Sequence, residues 1–320
     1  MDTTTPPSPV SPSASNAAAG PALAPPAPAV AARDSLTAVI LVVILGISMQ
    51  AGSALSVLVI GAVGVIEALW LRTFFAAVIL AVVRPRAVRW PARGNRLLMG
   101  ALTLSLLAMN LCFYEAISRA PVGVVVAVEF LGPLGVAVAG SRRWLDAVWV
   151  VLAGVGVFVL ADPSGSVSTA GLLFSLASAV CWAAFLLLAK AAVTRMEPLQ
   201  VTTLMLIGST VLLTPVFLAT GVKVTGQGHA ILLGLGVAVL SSALPYLLEM
   251  TALKRVRAST YGVLLSLEPG IAALMGFVIL AQRLTVREIG GIVAVIVAAA
   301  GASWTAARVL RTRVRRVRGP

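Results

Sequence analysis

AVEFLGPLGVAVAG, Ala127 to Gly140, and LLSLEPGIAALMG, Leu264 to Gly276, decide how this chain is read. Each is an apolar run interrupted by one glutamate (Glu129, Glu268) and one proline (Pro133, Pro269). Laying Pro133 over Pro269 also lays Ala116 over Ala252, Arg119 over Arg255 and Gly140 over Gly276, so the internal similarity extends beyond the motif. The glutamates do not superimpose: Glu129 falls on Leu265, and Glu268 on Gly132. That offset is close to one helical turn, which lets both acids face a shared interior. An ionisable side chain in a bilayer-spanning helix costs about 2.5–3.5 kcal/mol on insertion scales and is kept where it faces a cavity or a partner. Two of them, one in each half, point to a transporter built from internal repeats.

Composition agrees. The chain is 59% hydrophobic and 11% charged, with a mean hydropathy of +1.03. Soluble proteins run at about 45–50% apolar and about 25% charged residues, so this is a polytopic membrane protein. The lone histidine, His229, cannot build a metal site, and Cys112 and Cys181 lie in separate apolar runs without a CxxC. They read as buried free thiols, and no metal or other cofactor is called for. No GxSxG and no GxxxxGK[ST] occurs, which leaves an enzyme reading without a nucleophile or a phosphate cradle.

Residues 1–33 are nearly all Pro, Ala, Ser, Thr, Val and Gly and are expected to form a disordered tail. No Lys or Arg precedes Arg33, so the basic start of a cleavable signal peptide is missing. From Leu36 onward, apolar runs of the length that crosses about 30 Å of hydrocarbon recur. Ten spans are expected: 36–58, 66–84, 97–117, 121–141, 145–161, 169–190, 199–220, 230–253, 259–281 and 287–307. The fold class is therefore an all-α membrane protein, five helices per half (34–161 and 169–307) joined by an extracytoplasmic linker at 162–168 and followed by a basic tail at 308–320. Five is odd, so the second half enters the membrane inverted. With both termini cytoplasmic, basic residues concentrate inside: Arg84 to Arg96, Arg142 and Arg143, Lys190 and Arg195, Lys254 to Arg257 and the tail arginines. Outside stand only Arg119, Lys223, Arg283 and Arg287, a positive-inside pattern for a multi-pass protein of the cell membrane. The net charge of +13 thus reads as topology and attraction to anionic lipid, not as nucleic-acid binding.

Proline removes a helical donor. Pro133 should free the carbonyl of Glu129, Pro269 that of Leu265 and Pro245 that of Ser241, placing acceptors near the midplane. Unpaired carbonyls at that depth need protein or cavity water as partners, and carboxylates beside them suit an ammonium group or a proton. Glu129 and Glu268 are the principal candidates, with Glu249, Asn110 and Gln50 as further candidates for contact with substrate or proton. Gating or structural roles fall to Glu115, Arg72, Pro133, Pro245 and Pro269. Glu115 has Arg119 one turn on as a surface partner. Arg72 can take a substrate carboxylate bidentately or pair with Glu67, the latter being favoured.

The stretches FYEAISRAPVGVVVAVEFLGPLGVAVAGSRR (113–143) and SSALPYLLEMTALKRVRASTYGVLLSLEPGIAAL (241–274) resemble the two halves of threonine/homoserine exporters, within the EamA branch of the drug/metabolite transporters. The similarity continues more weakly through SMQAGSAL (48–55) and covers roughly 36–305. It implies two inverted EamA repeats, a central cavity lined by helices one to four and six to nine, and helices five and ten at the periphery. It also implies proton-driven export of small zwitterionic amino acids. Glu129, Glu249 and Glu268 match acidic positions of the family, and Gln50 and Asn110 its polar ones. One departure stands out: the family's GExLT after helix nine is here AQRLT, with Gln282 in place of the acid.

Overall fold

The computed structural model describes residues 28–139, 144–160, 168–220, 228–245 and 266–318, and among these every regular element is helical. The helices are α1 (Pro28–Val63), α2 (Val65–Val83), α3 (Arg96–Ile117), α4 (Val122–Glu129), α5 (Leu131–Ala139), α6 (Trp144–Leu160), α7 (Thr169–Val193) and α8 (Pro198–Ala219). They continue with α9 (Gly228–Ala238), α10 (Glu268–Leu280) and α11 (Val286–Arg318). Local chemistry sets several ends. Gly64, at φ 99°, turns the chain between α1 and α2 in a conformation that side chains disfavour. Ser168 caps α7, its Oγ accepting the Gly171 N–H at 3.0 Å. Pro198 opens α8, where its missing donor costs nothing.

Five described helices are long and apolar enough to cross a membrane: Val43–Val63, Val65–Val83, Arg93–Ile117, Thr169–Val193 and Pro198–Ala219. Val122–Val136, Ala147–Leu160, Gly228–Ala243 and Glu268–Leu280 are shorter apolar helices. The chain is a multi-pass membrane protein whose described residues form helices.

Four expectations change. Helix α1 begins at Pro28, inside the tail expected to be disordered, of which only 1–27 lies outside the described residues. The fourth span is two helices, broken at Phe130, because Pro133 offers no donor to the Glu129 carbonyl. Pro269 is placed differently from Pro133 by one position in its helix. It occupies the first turn of α10, where proline is at home, so Glu268 starts a helix instead of sitting in the middle of one. Leu265, whose carbonyl Pro269 was expected to free, lies outside the described residues. Finally, α11 runs on through the basic tail to Arg318.

The principal helix pairings cross from the first half of the chain to the second: α3 on α7, α6 on α11, α2 on α8, and both α1 and α4 on α10. The main apolar core forms where they meet, around Leu69, Tyr114, Val122, Val125, Val128 and Ala272. In lipid this packing rests on van der Waals fit and small residues at the contacts, since hydrocarbon outside is as apolar as leucine inside. A Cβ on Gly123 of α4 would come within 2.7 Å of the Ala273 Cα of α10, and one on Gly156 of α6 within 2.9 Å of the Gly291 carbonyl of α11. Trp70 of α2 stacks between Phe74 and Phe217 and donates its indole N–H to Thr214 Oγ1 of α8 at 2.9 Å.

Gly123→Ala should therefore lower the melting temperature in detergent, because backbone of α10 must move to admit the methyl, at a cost of about 1–3 kcal/mol. Gly100→Ala, whose Cβ meets nothing within 4 Å, should leave it unchanged or raise it.

Candidate functional site

At the centre of the bundle α3 presents two adjacent residues that organise opposite charges. Asn110 is buried; its amide donates to its own helix at the Leu106 carbonyl, 2.9 Å away, which fixes the carbonyl oxygen outward. That oxygen accepts from Nη1 of Arg72, on α2, at 2.9 Å. The guanidinium also reaches Ser242 Oγ from Nε at 3.4 Å and lies 5.7 Å from the centre of the Tyr114 ring. Tyr114 in turn shares a 2.9 Å hydroxyl pair with Ser56 of α1. The favoured pairing with Glu67 is thus corrected: Arg72 turns inward to Asn110 and Ser242. Helical spacing explains it, since residues five apart stand on different faces.

On the other side of α3, the Met109 carbonyl accepts from Ser178 Oγ of α7 at 3.1 Å, and the same hydroxyl contacts Oε1 of Glu129. Glu129 ends α4 and is only 9% exposed. A buried carboxylate and a half-buried guanidinium are therefore tied to successive residues of one helix.

The other sequence candidates scatter. Glu268 is buried at the start of α10, where the helix dipole favours negative charge. Gln50 of α1 is buried, and its Oε1 has no hydrogen-bond partner among the described residues. Glu249 lies outside the described residues. Glu115 is ion-paired with Arg119 at the end of α3, both partly exposed, with the Arg119 guanidinium over the Phe174 ring. That is the surface pairing its spacing allows.

Pro245 acts differently from expectation. Residues Val239–Ala243 form a π-helical turn, with the Leu244 N–H on the Val239 carbonyl five residues back. In that register the donor missing at Pro245 is felt at Leu240, not at Ser241. Ser48 Oγ of α1 supplies it, donating to the Leu240 carbonyl at 2.8 Å. Gly52 permits the approach, since a Cβ there would collide with Ser241. π-turns of this kind occur disproportionately at functional sites.

Ser178, Ser242, Ser56 and Tyr114 were not among the sequence candidates. Hydroxyls on apolar helices bond their own backbone so readily that sequence alone does not mark the ones that turn to a neighbour. Cys112 and Cys181, which read as unrelated thiols, come together between α3 and α7 and remain free. Among the described residues no group of three or more His, Cys, Asp or Glu is placed to hold a metal. Gln282 reaches across the molecule, where its Oε1 accepts the Val122 N–H at 3.2 Å and satisfies the first turn of α4.

Comparison with known proteins points one way. Residues 169–304 match the model of the EamA-like transporter family. The chain is 37% identical over 266 residues to the threonine/homoserine exporter RhtA of Escherichia coli K12, covering 81% of this chain and 88% of that protein. It is 37% identical over 265 residues to the same exporter of Salmonella typhimurium LT2, covering 82% and 89%. An uncharacterized transporter of Archaeoglobus fulgidus is 27% identical over 242 residues, covering 73% and 85%. A crystal structure with 16% sequence identity superimposes with a TM-score of 0.60 over 86% of this chain and 99% of that one, a likeness of fold.

If Gln282 serves chiefly as the cap of α4, Gln282→Ala should lower stability in detergent by about 0.5–2 kcal/mol. Gln282→Glu, which keeps an acceptor at the same place, should restore the wild-type melting temperature or exceed it.

Proposed function

We propose that this chain, which belongs to the EamA-like transporter family, exports small zwitterionic amino acids of the threonine and homoserine kind across the cell membrane. One observation carries the reading: an interior that is mainly apolar holds a half-buried guanidinium, Arg72, and a buried carboxylate, Glu129, on groups of one helix, the pair of charges a zwitterion needs in order to leave water. The relatives named as threonine/homoserine exporters, 37% identical over most of the chain, supply the substrate class.

In this reading the protein works by alternating access between two inverted five-helix repeats, with both termini cytoplasmic. Glu129 and Glu268 receive the substrate ammonium or a coupling proton, helped by Glu249 from the same acidic set, while Gln50 and Asn110 supply neutral polar contacts. The two acids are not equivalent, and that supports a division of labour. Glu129 ends a helix and is held by Ser178, whereas Glu268 begins one. The buried Gln50 acceptor supports a place for it in the cavity, because a polar group buried without a partner costs about 1–3 kcal/mol unless something else completes it. Pro133 and Pro269, each beside one of these helix ends, keep the acids at breaks in regular structure.

Purified protein in liposomes loaded with unlabelled threonine should accumulate labelled threonine by counterflow, and an imposed proton gradient should drive net movement. Glu129→Gln and Glu268→Gln should each lower threonine counterflow by on the order of tenfold or more, equivalent to about 1.4 kcal/mol or more of transition-state stabilisation. Wild-type rates in both variants would remove the two acids from the mechanism. Indifference to threonine together with uptake of a lipophilic cation would replace the substrate class.

A further inference from the structure

We infer that Arg72 is the anchor for an anionic group on the solute, a carboxylate, and so sets the preference for amino acids over amines. The inference rests on the transport reading above and names the half of the substrate that the glutamates cannot bind.

The argument begins with cost. A guanidinium within a bilayer-spanning helix is expensive, and such groups persist where they pair with an acid, line an aqueous path or bind a ligand. Arg72 stands in α2, which is 19 residues long and carries no other charged residue apart from Glu67 near its start. Among the described residues it forms no ion pair with a carboxylate; the ion pairs there include Arg84 with Glu197 and Arg119 with Glu115, both partly exposed. Its hydrogen-bond and ring partners are neutral: the Asn110 oxygen, the Ser242 hydroxyl and the Tyr114 ring. Neutral groups orient a guanidinium without discharging it.

Geometry leaves the fork open. Nη1 is used by Asn110 and Nε, at a long 3.4 Å, by Ser242, while Nη2 has no hydrogen bond to the described residues. Guanidinium matches a carboxylate through two parallel N–H donors, which a point charge such as lysine does not reproduce. The orientation is also built in. Asn110 is pinned by its own helix, and Tyr114, one turn further along α3, is pinned by Ser56. Through Met109 and Ser178, α3 also holds Glu129 on its other side. A solute with its carboxylate on Arg72 and its ammonium toward Glu129 therefore spans two groups registered by a single helix. An amine without a carboxylate leaves the half-buried Arg72 without an anionic partner, and sites built to pair a polar group reject analogues that lack it.

The test compares threonine with threoninol, which keeps the amine and the side-chain hydroxyl but replaces the carboxylate by a hydroxymethyl group. Labelled counterflow of each is measured in liposomes for wild type, Arg72→Gln and Arg72→Lys. Wild type should favour threonine by about tenfold or more. Arg72→Gln should lose that preference, threonine falling by about tenfold or more while threoninol stays within about twofold, and Arg72→Lys should keep part of it. Parallel loss of both solutes in both variants, or a preference for threonine that survives in Arg72→Gln, overturns the assignment and leaves Arg72 a packing residue. Equal transport of threonine and threoninol by wild type overturns it as well. A wild type that moves neither solute falsifies the transport reading itself, a result distinct from any pattern among the variants.

Discussion

Hydrocarbon offers no hydrogen bonds, so every polar group carried into it has to be completed by the protein. That constraint shapes the centre of this molecule. The Asn110 amide is spent on the Leu106 carbonyl so that its oxygen can hold Arg72. Ser178 divides its hydroxyl between Met109 and Glu129, and Ser48 crosses from another helix to complete Leu240. None of these groups is individually strong; hydrogen bonds between membrane helices average about 0.6 kcal/mol. Their effect is to fix where two opposite charges stand.

Fixing them also requires the helices to come close. Where α4 meets α10 and α6 meets α11, glycine brings backbone against backbone, and the apolar core is shared between the two halves of the chain. The polar centre and the close contacts depend on each other. Ser48 reaches its carbonyl only because Gly52, one turn away, lets α1 lie against the π-helical turn. Trp70, clamped between two phenylalanines and bonded to α8, holds the helix from which Arg72 projects.

Much of this was legible in the sequence. Long apolar runs announce helices that cross a membrane, and Glu129 and Asn110 are conspicuous because polar groups are costly there; both are buried at the centre. What escaped was direction. Arg72 looked able to pair with Glu67, but five residues carry it to another face of α2, and partners on other helices decided the matter. Pro133 and Pro269 looked like kinks in the middle of two spans, yet each lies in the first turn of a helix, α5 and α10, where a missing donor is tolerated. The serines were invisible for a different reason. In an apolar helix a hydroxyl that bonds its own backbone and one that reaches a neighbour are spelled the same way, as Thr73 and Ser178 illustrate.

The π-helical turn at Val239–Ala243 contains one residue more than an α-helical turn would, so the helix before it and the chain after it count out of phase by one position. Within that turn two neighbouring serines face different helices, Ser241 toward Gly52 on α1 and Ser242 toward Arg72 on α2. A regular helix would separate them by a fixed angle of about 100° and could not tune it. The irregularity is therefore a small vernier, setting the rotation of a hydroxyl against a charge that the sequence can place only to the nearest residue.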